Sequence, residues 1–268
     1  MLRRWPIALA GLGALLGSAI AASPAAAAPA GPHAAHLVRP AAQLARPAGH
    51  GTRPLVSRGG PAGAAQSTNW SGYAAASGTY TSVSASWTVP AGTCRGSAKY
   101  SSFWVGLDGY NSTTVEQTGS EVDCSGSKAK YYSWYEMYPA RPVNFSNPVR
   151  PGDRFSGAVT YNGGSSYTLV LQDLTKGWKH TVSATLAGAA NSSAEVIAEA
   201  PCCTASGGIL PLAHFSPVTF TSATVDGSAI GSFSPAQIVM VDGSGRAKDS
   251  VSGLRGGSSF TATWLRAN

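Results

Sequence analysis

"KYYSWYEMYP", residues 130–139, is the stretch on which the fold turns. It shows no apolar period of 3.6 residues, and its aromatic content favours an extended chain. Side chains two apart on a strand share a face. As a strand, the segment therefore sets Tyr132, Trp134, Glu136 and Tyr138 on one side. A polar residue alternating on an antiparallel strand ordinarily marks the solvated side. Three large aromatics around one carboxylate are less ordinary, and they raise the question of a lined groove.

The same period recurs along most of the chain. Strands are expected near "YTSVSASWTV", "SSFWVGL", "TTVEQTG", "RFSGAVTY", "SYTLVLQDL", "WKHTVSATL", "AEVIAE", "SPVTFTSATV", "AQIVMV" and "SFTATWL". Turn sequences such as "NPVRPGD", "NGGS" and "LTKGW" separate them. No segment sustains a helical apolar period for three turns, and no internal repeat is visible. So many short antiparallel strands in one body predict an all-β, two-sheet β-sandwich.

The body occupies residues 67–268, and what precedes it has a different composition. Arg3 and Arg4 lead an apolar run from about Ile7 to Ala22, followed by "SPAAAAPA" with A-x-A cleavage sites. Residues 1–28 read as a secretory signal peptide, the run being short for a membrane span. Residues 29–66 are rich in Ala, Pro, Gly, Arg and His and contain no acid. Such a stretch cannot bury enough surface to fold alone, and it reads as a disordered propeptide or linker. A secreted, extracellular protein is expected, monomeric and without a stable membrane anchor in its mature form.

The formal net charge of +7 is a property of the leader. Arg3, Arg4, Arg39, Arg46, Arg53 and Arg58 leave thirteen basic residues in the rest of the chain against all twelve acids, a balance of +1. A nucleic-acid footprint needs its positive charge on the folded body, so no nucleic-acid partner is expected. Cys94, Cys124, Cys202 and Cys203 suggest two disulfides with three allowed pairings. Cys94 with Cys124 is preferred, its loop closure contributing roughly 3–4 kcal/mol, which leaves a vicinal Cys202–Cys203 bridge. The adjacent cysteines lack C-x-x-C ligand spacing, and the body holds only His180 and His214. No metal and no cofactor are expected.

Alternation collects polar candidates on four strands. Glu195, Ile197 and Glu199 share a face, as do Val115, Gln117, Gly119 and Glu121. Trp104, Gly106 and Asp108 share another. Aromatics walling a groove in which a few polar groups converge suit the concave side of a curved sheet. A glycosidase would use two carboxylates there, and Glu136 with Glu199 form the candidate pair, stacking sugar on Trp104 and Trp134. A peptidase would use a general base and an oxyanion stabiliser. G-x-S-x-G, H-E-x-x-H and phosphate-binding glycine motifs are absent.

"STNWSGYA", "WVGLDG", "VEQTG", "SWYEMYP", "AEVIAE" and "FSPVTFTSA" occur in an order and spacing that resemble the glutamic peptidases, or eqolisins. The resemblance runs from about Asn69 to the C-terminus, and the leader resembles those of bacterial exported chains. It implies two seven-stranded antiparallel sheets curved as in a concanavalin A-like or jelly-roll sandwich, and acid endopeptidase activity on polypeptide substrates. It implies catalysis by Gln117, from the Q-T-G motif, and Glu199, the second acid of E-x-I-x-E. Trp104, Asp108, Glu121, Trp134, Glu136 and Glu195 would line or support the cleft. This chain has Glu121 where the family carries Asp, Val196 as the bulky residue within E-x-I-x-E, and Met137 where an aromatic is usual. These differences bear on substrate preference. Glutamate ordinarily titrates near pH 4.3, so a lone glutamate base predicts an acid optimum. The alternative remains a secreted sandwich that hydrolyses or binds glycans.

Overall fold

Alternating strands leave each sheet one apolar face, and two such faces close on each other. The computed structural model describes residues 64–202 and 208–268, together with the backbone of 55–57. The strands are β1 (Leu55–Ser57), β2 (Ala65–Ser67), β3 (Trp70–Ala75), β4 (Ser82–Thr88), β5 (Gly92–Thr93) and β6 (Lys99–Leu107). They continue as β7 (Val115–Ser125), β8 (Lys128–Tyr138), β9 (Val143–Asn144), β10 (Arg154–Gly163), β11 (Ser166–Asp173), β12 (Trp178–Thr185) and β13 (Ala194–Glu199). The last are β14 (His214–Phe215), β15 (Val218–Val225), β16 (Ser228–Ala229), β17 (Ala236–Met240), β18 (Asp249–Val251) and β19 (Phe260–Trp264). Among the described residues the only helical element is a short 3-10 turn, Ile230–Phe233.

Two large sheets carry the fold. One has nine strands in the order β1-β2-β17-β3-β13-β6-β7-β8-β9. The other has eight, β12-β11-β10-β4-β15-β19-β18 with β16 paired to β15. Pairing is antiparallel throughout the large sheets except where β17 meets β2. The expected pair of seven-stranded sheets is thus exceeded, because short strands extend the edges. At one edge lie β1 and β2, taken from the junction between leader and body. Residues 1–54, which include the expected signal peptide and most of the expected propeptide, lie outside the described residues.

Between the sheets Phe103, Val105, Leu107 and Val196 meet Trp87, Phe155, Leu169 and Phe220, all buried. Side chains of this size contribute about 1.5–3 kcal/mol each when removed from water. Two polar contacts fasten this inner face: Trp87 Nε1 donates to Ser120 Oγ at 2.9 Å, and Thr118 Oγ1 to the Trp134 carbonyl at 2.8 Å. The Cys94–Cys124 disulfide forms as expected, tying the segment before β6 to the end of β7. Cys202 is also disulfide-bonded, and its expected partner Cys203 lies outside the described residues.

Each strand expected from alternation is present. The one substantial strand that alternation missed is β3, "WSGYAA". Its six residues are all buried, so they show no in-and-out period, and Gly and Ala weaken the propensity signal. This strand lies beside β13 and proves central to the site.

Candidate active site

The face of the nine-stranded sheet turned away from the eight-stranded one has its own apolar cluster. It includes Trp70, Trp104, Val115, Trp134, Ile197 and Ile238, with no contribution from the other sheet. Strand register arranges this face in three rows. The first runs Ala74, Glu195, Gly106, Gln117, Glu136. The second runs Gly72, Ile197, Trp104, Gly119, Trp134. The third runs Trp70, Glu199, Ser102, Glu121, Tyr132. A row of aromatics and glycines therefore separates two rows that carry carboxylates and an amide.

Glu199 sits in a ring of nitrogen donors. Trp104 Nε1 donates to its Oε2 at 2.8 Å, while Trp70 Nε1 and Asn69 Nδ2 donate to Oε1 at 3.2 Å each. The amide orientation of Asn69 is set from behind, because its Oδ1 accepts from Ser67 Oγ at 2.9 Å and Nδ2 must then face the carboxylate. Ser67 Oγ also caps the Trp70 N–H at 3.1 Å, fixing the approach to β3. Trp70 and Trp104 meet edge to face, with centroids 4.8 Å apart. Donors that cannot accept are complementary to the ionised carboxylate, and both oxygens are oriented.

Gln117 is anchored from the other side. Its Nε2 donates to Glu136 Oε2 at 2.8 Å, directly across the β7–β8 ladder. Gln117 and Glu199 stand two strands apart, with β6 between them, and four residues apart in register. That separates their backbones by about 10 Å across and about 14 Å along the sheet. The Trp104 indole spans the interval. Its Nε1 end holds Glu199, and its Cζ3 lies 2.9 Å from where a Cβ on Gly106 would be, a point 3.1 Å from Gln117 Cβ.

Glycine is thus required at two places on the floor. A Cβ on Gly119 would be driven into the Phe103 carbonyl and the Trp104 side chain, which accounts for the Gly of Q-T-G. A Cβ on Gly106 would press the indole and Gln117 apart. Gly106→Ala is expected to fold and to lose about 10- to 100-fold in kcat, since a displacement near 1 Å carries that effect. Steady-state kinetics beside a thermal melt measure it. An unchanged kcat would show that Gln117 needs no such placement.

The remaining candidates divide. Trp134, Glu136 and Glu121 lie on the face as expected, buried. Glu195 also lies there, level with Gln117 across Gly106, and burial pushes its carboxyl well above the usual carboxylate range, against a hydrogen bond from Ser193. Asp108 does something else. It ends β6 with a positive φ of 68°, and its carboxylate accepts the N–H groups of Ala190, Asn191 and Ser192 at 2.7–2.9 Å. The hydroxyls of Ser112 and Ser192 donate to it as well. Asp108 is a brace for the segment that leads into β13, not a group presented on the rows.

Alternation overlooked Asn69 and Trp70, since β3 has no visible period; only their pairing opposite Glu199 reveals them. It also passed over Glu116, which points inward between Leu107 and Met137. Burial pushes the Glu116 carboxyl up to about 8, with the nearby Asp108 charge adding to the shift. Among the described residues, no group of three His, Cys, Asp or Glu side chains is placed to hold a metal ion.

Residues 68–264 match the profile of the Peptidase A4 family. Among solved structures, scytalido-glutamic peptidase with a transition state analog inhibitor is similar at 26% identity and a TM-score of 0.64. That similarity covers 74% of this chain and 98% of the other. SCP-B, a member of the eqolisin family in a complex with the tripeptide Ala-Ile-His, is 25% identical with a TM-score of 0.62, over 74% of this chain and 98% of that one. Aspergilloglutamic peptidase from Aspergillus niger is 27% identical with a TM-score of 0.54, over 62% of this chain and 99% of its own. The comparison with curated proteins gives no match.

Proposed function

Since this chain belongs to the Peptidase A4 family, the glutamic peptidases, we propose that it is a secreted acid endopeptidase working through Gln117 and Glu199. The observation that supports the reading is the Trp104 indole, which holds the Glu199 carboxylate at one end and at the other meets Gly106, the glycine that Gln117 also flanks. A scissile peptide laid over this floor has a base on one side and an amide donor on the other.

Glu199, ionised, takes a proton from a water whose oxygen attacks the peptide carbonyl carbon. The carbonyl oxygen gains the negative charge, and the Gln117 Nε2 group donates to it, an interaction typically worth about 3–4 kcal/mol. Nε2 carries two hydrogens: Glu136 takes one and so aims the other. The protonated Glu199 then returns its proton to the nitrogen as the C–N bond breaks, so one carboxyl acts as base and then acid. An amide suits the oxyanion role because it donates at any pH, whereas a carboxylate there would repel the developing charge. Glu195, held neutral by burial, is a poor base beside it.

The glycosidase alternative loses support from the rows. Glu136 and Glu199 stand three strands and four residues apart in register. Gln117 stands between them, and its Nε2 takes up the Glu136 carboxylate at 2.8 Å. The leader, with its arginines, three histidines and no acid, fits a basic segment that covers the carboxylate rows near neutral pH and leaves in acid.

The expected result is hydrolysis of denatured casein near pH 4 by the processed chain and none of β-glucan, with the unprocessed chain slower. Cleavage of β-glucan alone would overturn the reading, and equal rates from both forms would reduce the leader to a spacer.

A further inference from the structure

Outside the rows, one buried cation has no acid holding it. Lys248 is 4% exposed, and among the described residues its Nζ makes no hydrogen bond and no ion pair within 4 Å. Its two acidic neighbours are engaged elsewhere. Asp242 accepts the N–H groups of Ser244 and Arg246 and the Arg246 Nε at 2.7 Å, closing its own turn. Asp249 points the opposite way, to Ser71 Oγ and the Met240 N–H. Burial lowers the Lys248 amine to about 8, with both acids opposing, so it remains cationic at neutral pH and below. Its Nζ is not among the side-chain polar atoms sealed from solvent, so an anion entering from outside can reach its three donors.

Lys248 lines a cavity of about 510 Å³ together with Thr68, Ile209, Val241, Asp242 and Asn268. This cavity adjoins the rows. Thr68 immediately precedes Asn69, the donor to Glu199, and the Val241 N–H bonds the Ser67 carbonyl at 2.8 Å. Ile209 is bridged to Cys202, three residues beyond Glu199. The cavity is thus walled by residues adjoining in sequence the Asn69 donor to Glu199 and bridged to the segment that follows Glu199.

We propose that this cavity is a subsite for a carboxylate carried by the peptide substrate, with the Lys248 ammonium as its counter-ion. The proposal rests on the peptidase reading, which supplies the substrate class. Carboxylate chemistry fits for two reasons. Asp242 in the wall disfavours a multiply charged anion, and peptide carboxylates retain charge in mild acid, where α-carboxyl groups titrate at about 3.3–3.7 and Asp at about 3.9. The carboxylate can come from the chain terminus of the substrate or from an acidic side chain.

The test uses one peptide in three forms: amidated without acids, with a free α-carboxylate, and amidated with an internal Asp. Equilibrium binding is measured at pH 5 on the processed Glu199→Gln chain, and cleavage on the processed wild type. The expected result is that one carboxylate form binds about ten-fold tighter than the neutral form, and which one identifies the source. In Lys248→Met, the advantage should fall to about one-fold. Equal binding of all three forms overturns the proposal whether or not the variant folds, as does a preference that survives in a folded Lys248→Met chain. Cleavage by wild type without carboxylate preference removes the subsite and leaves the peptidase, while carboxylate-selective binding without cleavage removes the peptidase and leaves the subsite.

Discussion

Glu199→Gln is expected to lower kcat by about 10²- to 10⁴-fold, the range for loss of a positioned base, in a chain that still melts cooperatively. Glu195→Gln, by contrast, should stay within about three-fold of wild type. The two glutamates are four residues apart on one face of one strand, so size and location are matched. Their surroundings differ. Glu199 receives three N–H donors and is stabilised as an anion. Glu195 is buried, and its carboxyl is held protonated, so an amide of the same shape replaces what is already neutral. Gln117→Ala should cost about 10²- to 10³-fold, the usual effect of deleting one oxyanion donor. Single-turnover rates on a casein-derived peptide read all three. If Glu195→Gln is the inactive variant, the base belongs at the position level with Gln117, and the pairing across Trp104 is wrong.

The second large effect concerns stability against pH. Glu116 lies between the sheets with its carboxyl raised from 4.5 to about 8, first by burial and then by Asp108. Asp249 is raised from 3.8 to about 7, again chiefly by burial. A carboxyl whose folded pKa is raised binds its proton more tightly in the folded chain. Its favourable contribution is complete below the unfolded value and is lost as pH rises towards the folded one. The window therefore opens near pH 4.5 and closes near 8. At 1.36 kcal/mol per unit, Glu116 alone accounts for about 5 kcal/mol across it. Asp226 and Asp242, whose carboxyls are lowered by backbone N–H donors, act in the opposite sense only as pH falls below about 3.8. Maximum stability should lie near pH 4–5, with a Tm about 10 °C or more above that at pH 8. Glu116→Gln should raise Tm at pH 8 and leave it unchanged at pH 4.5. Calorimetric melts at both values decide it, and equal slopes for wild type and variant would show that Glu116 carries none of the dependence.

A stability maximum in mild acid would coincide with the pH at which the proposed glutamate base works. The same desolvation that keeps Glu116 and Glu195 neutral acts on Glu199 too, but there three N–H donors meet the carboxylate. Three similar side chains within two strands thus differ in chemistry because they differ in who donates to them.

Strand positions and facing were legible in the residues themselves. Alternation is local, so "KYYSWYEMYP" and "AEVIAE" already declared which side chains could share a surface, and the expected strands formed where alternation was clean. What alternation leaves undetermined is register between strands, because a shift of two residues preserves every face while changing every neighbour. Only the assembled sheet put Trp70 opposite Glu199, laid Trp104 between Glu199 and Gln117, and set Glu195 level with Gln117. It also turned Asp108, which shares the spacing of Trp104 and Gly106, off the strand and onto the backbone of residues 190–192 through its positive φ. Burial of Glu116 and Lys248 was invisible for the same reason: desolvation is imposed by what packs against a side chain from distant parts of the chain, and no local pattern encodes it.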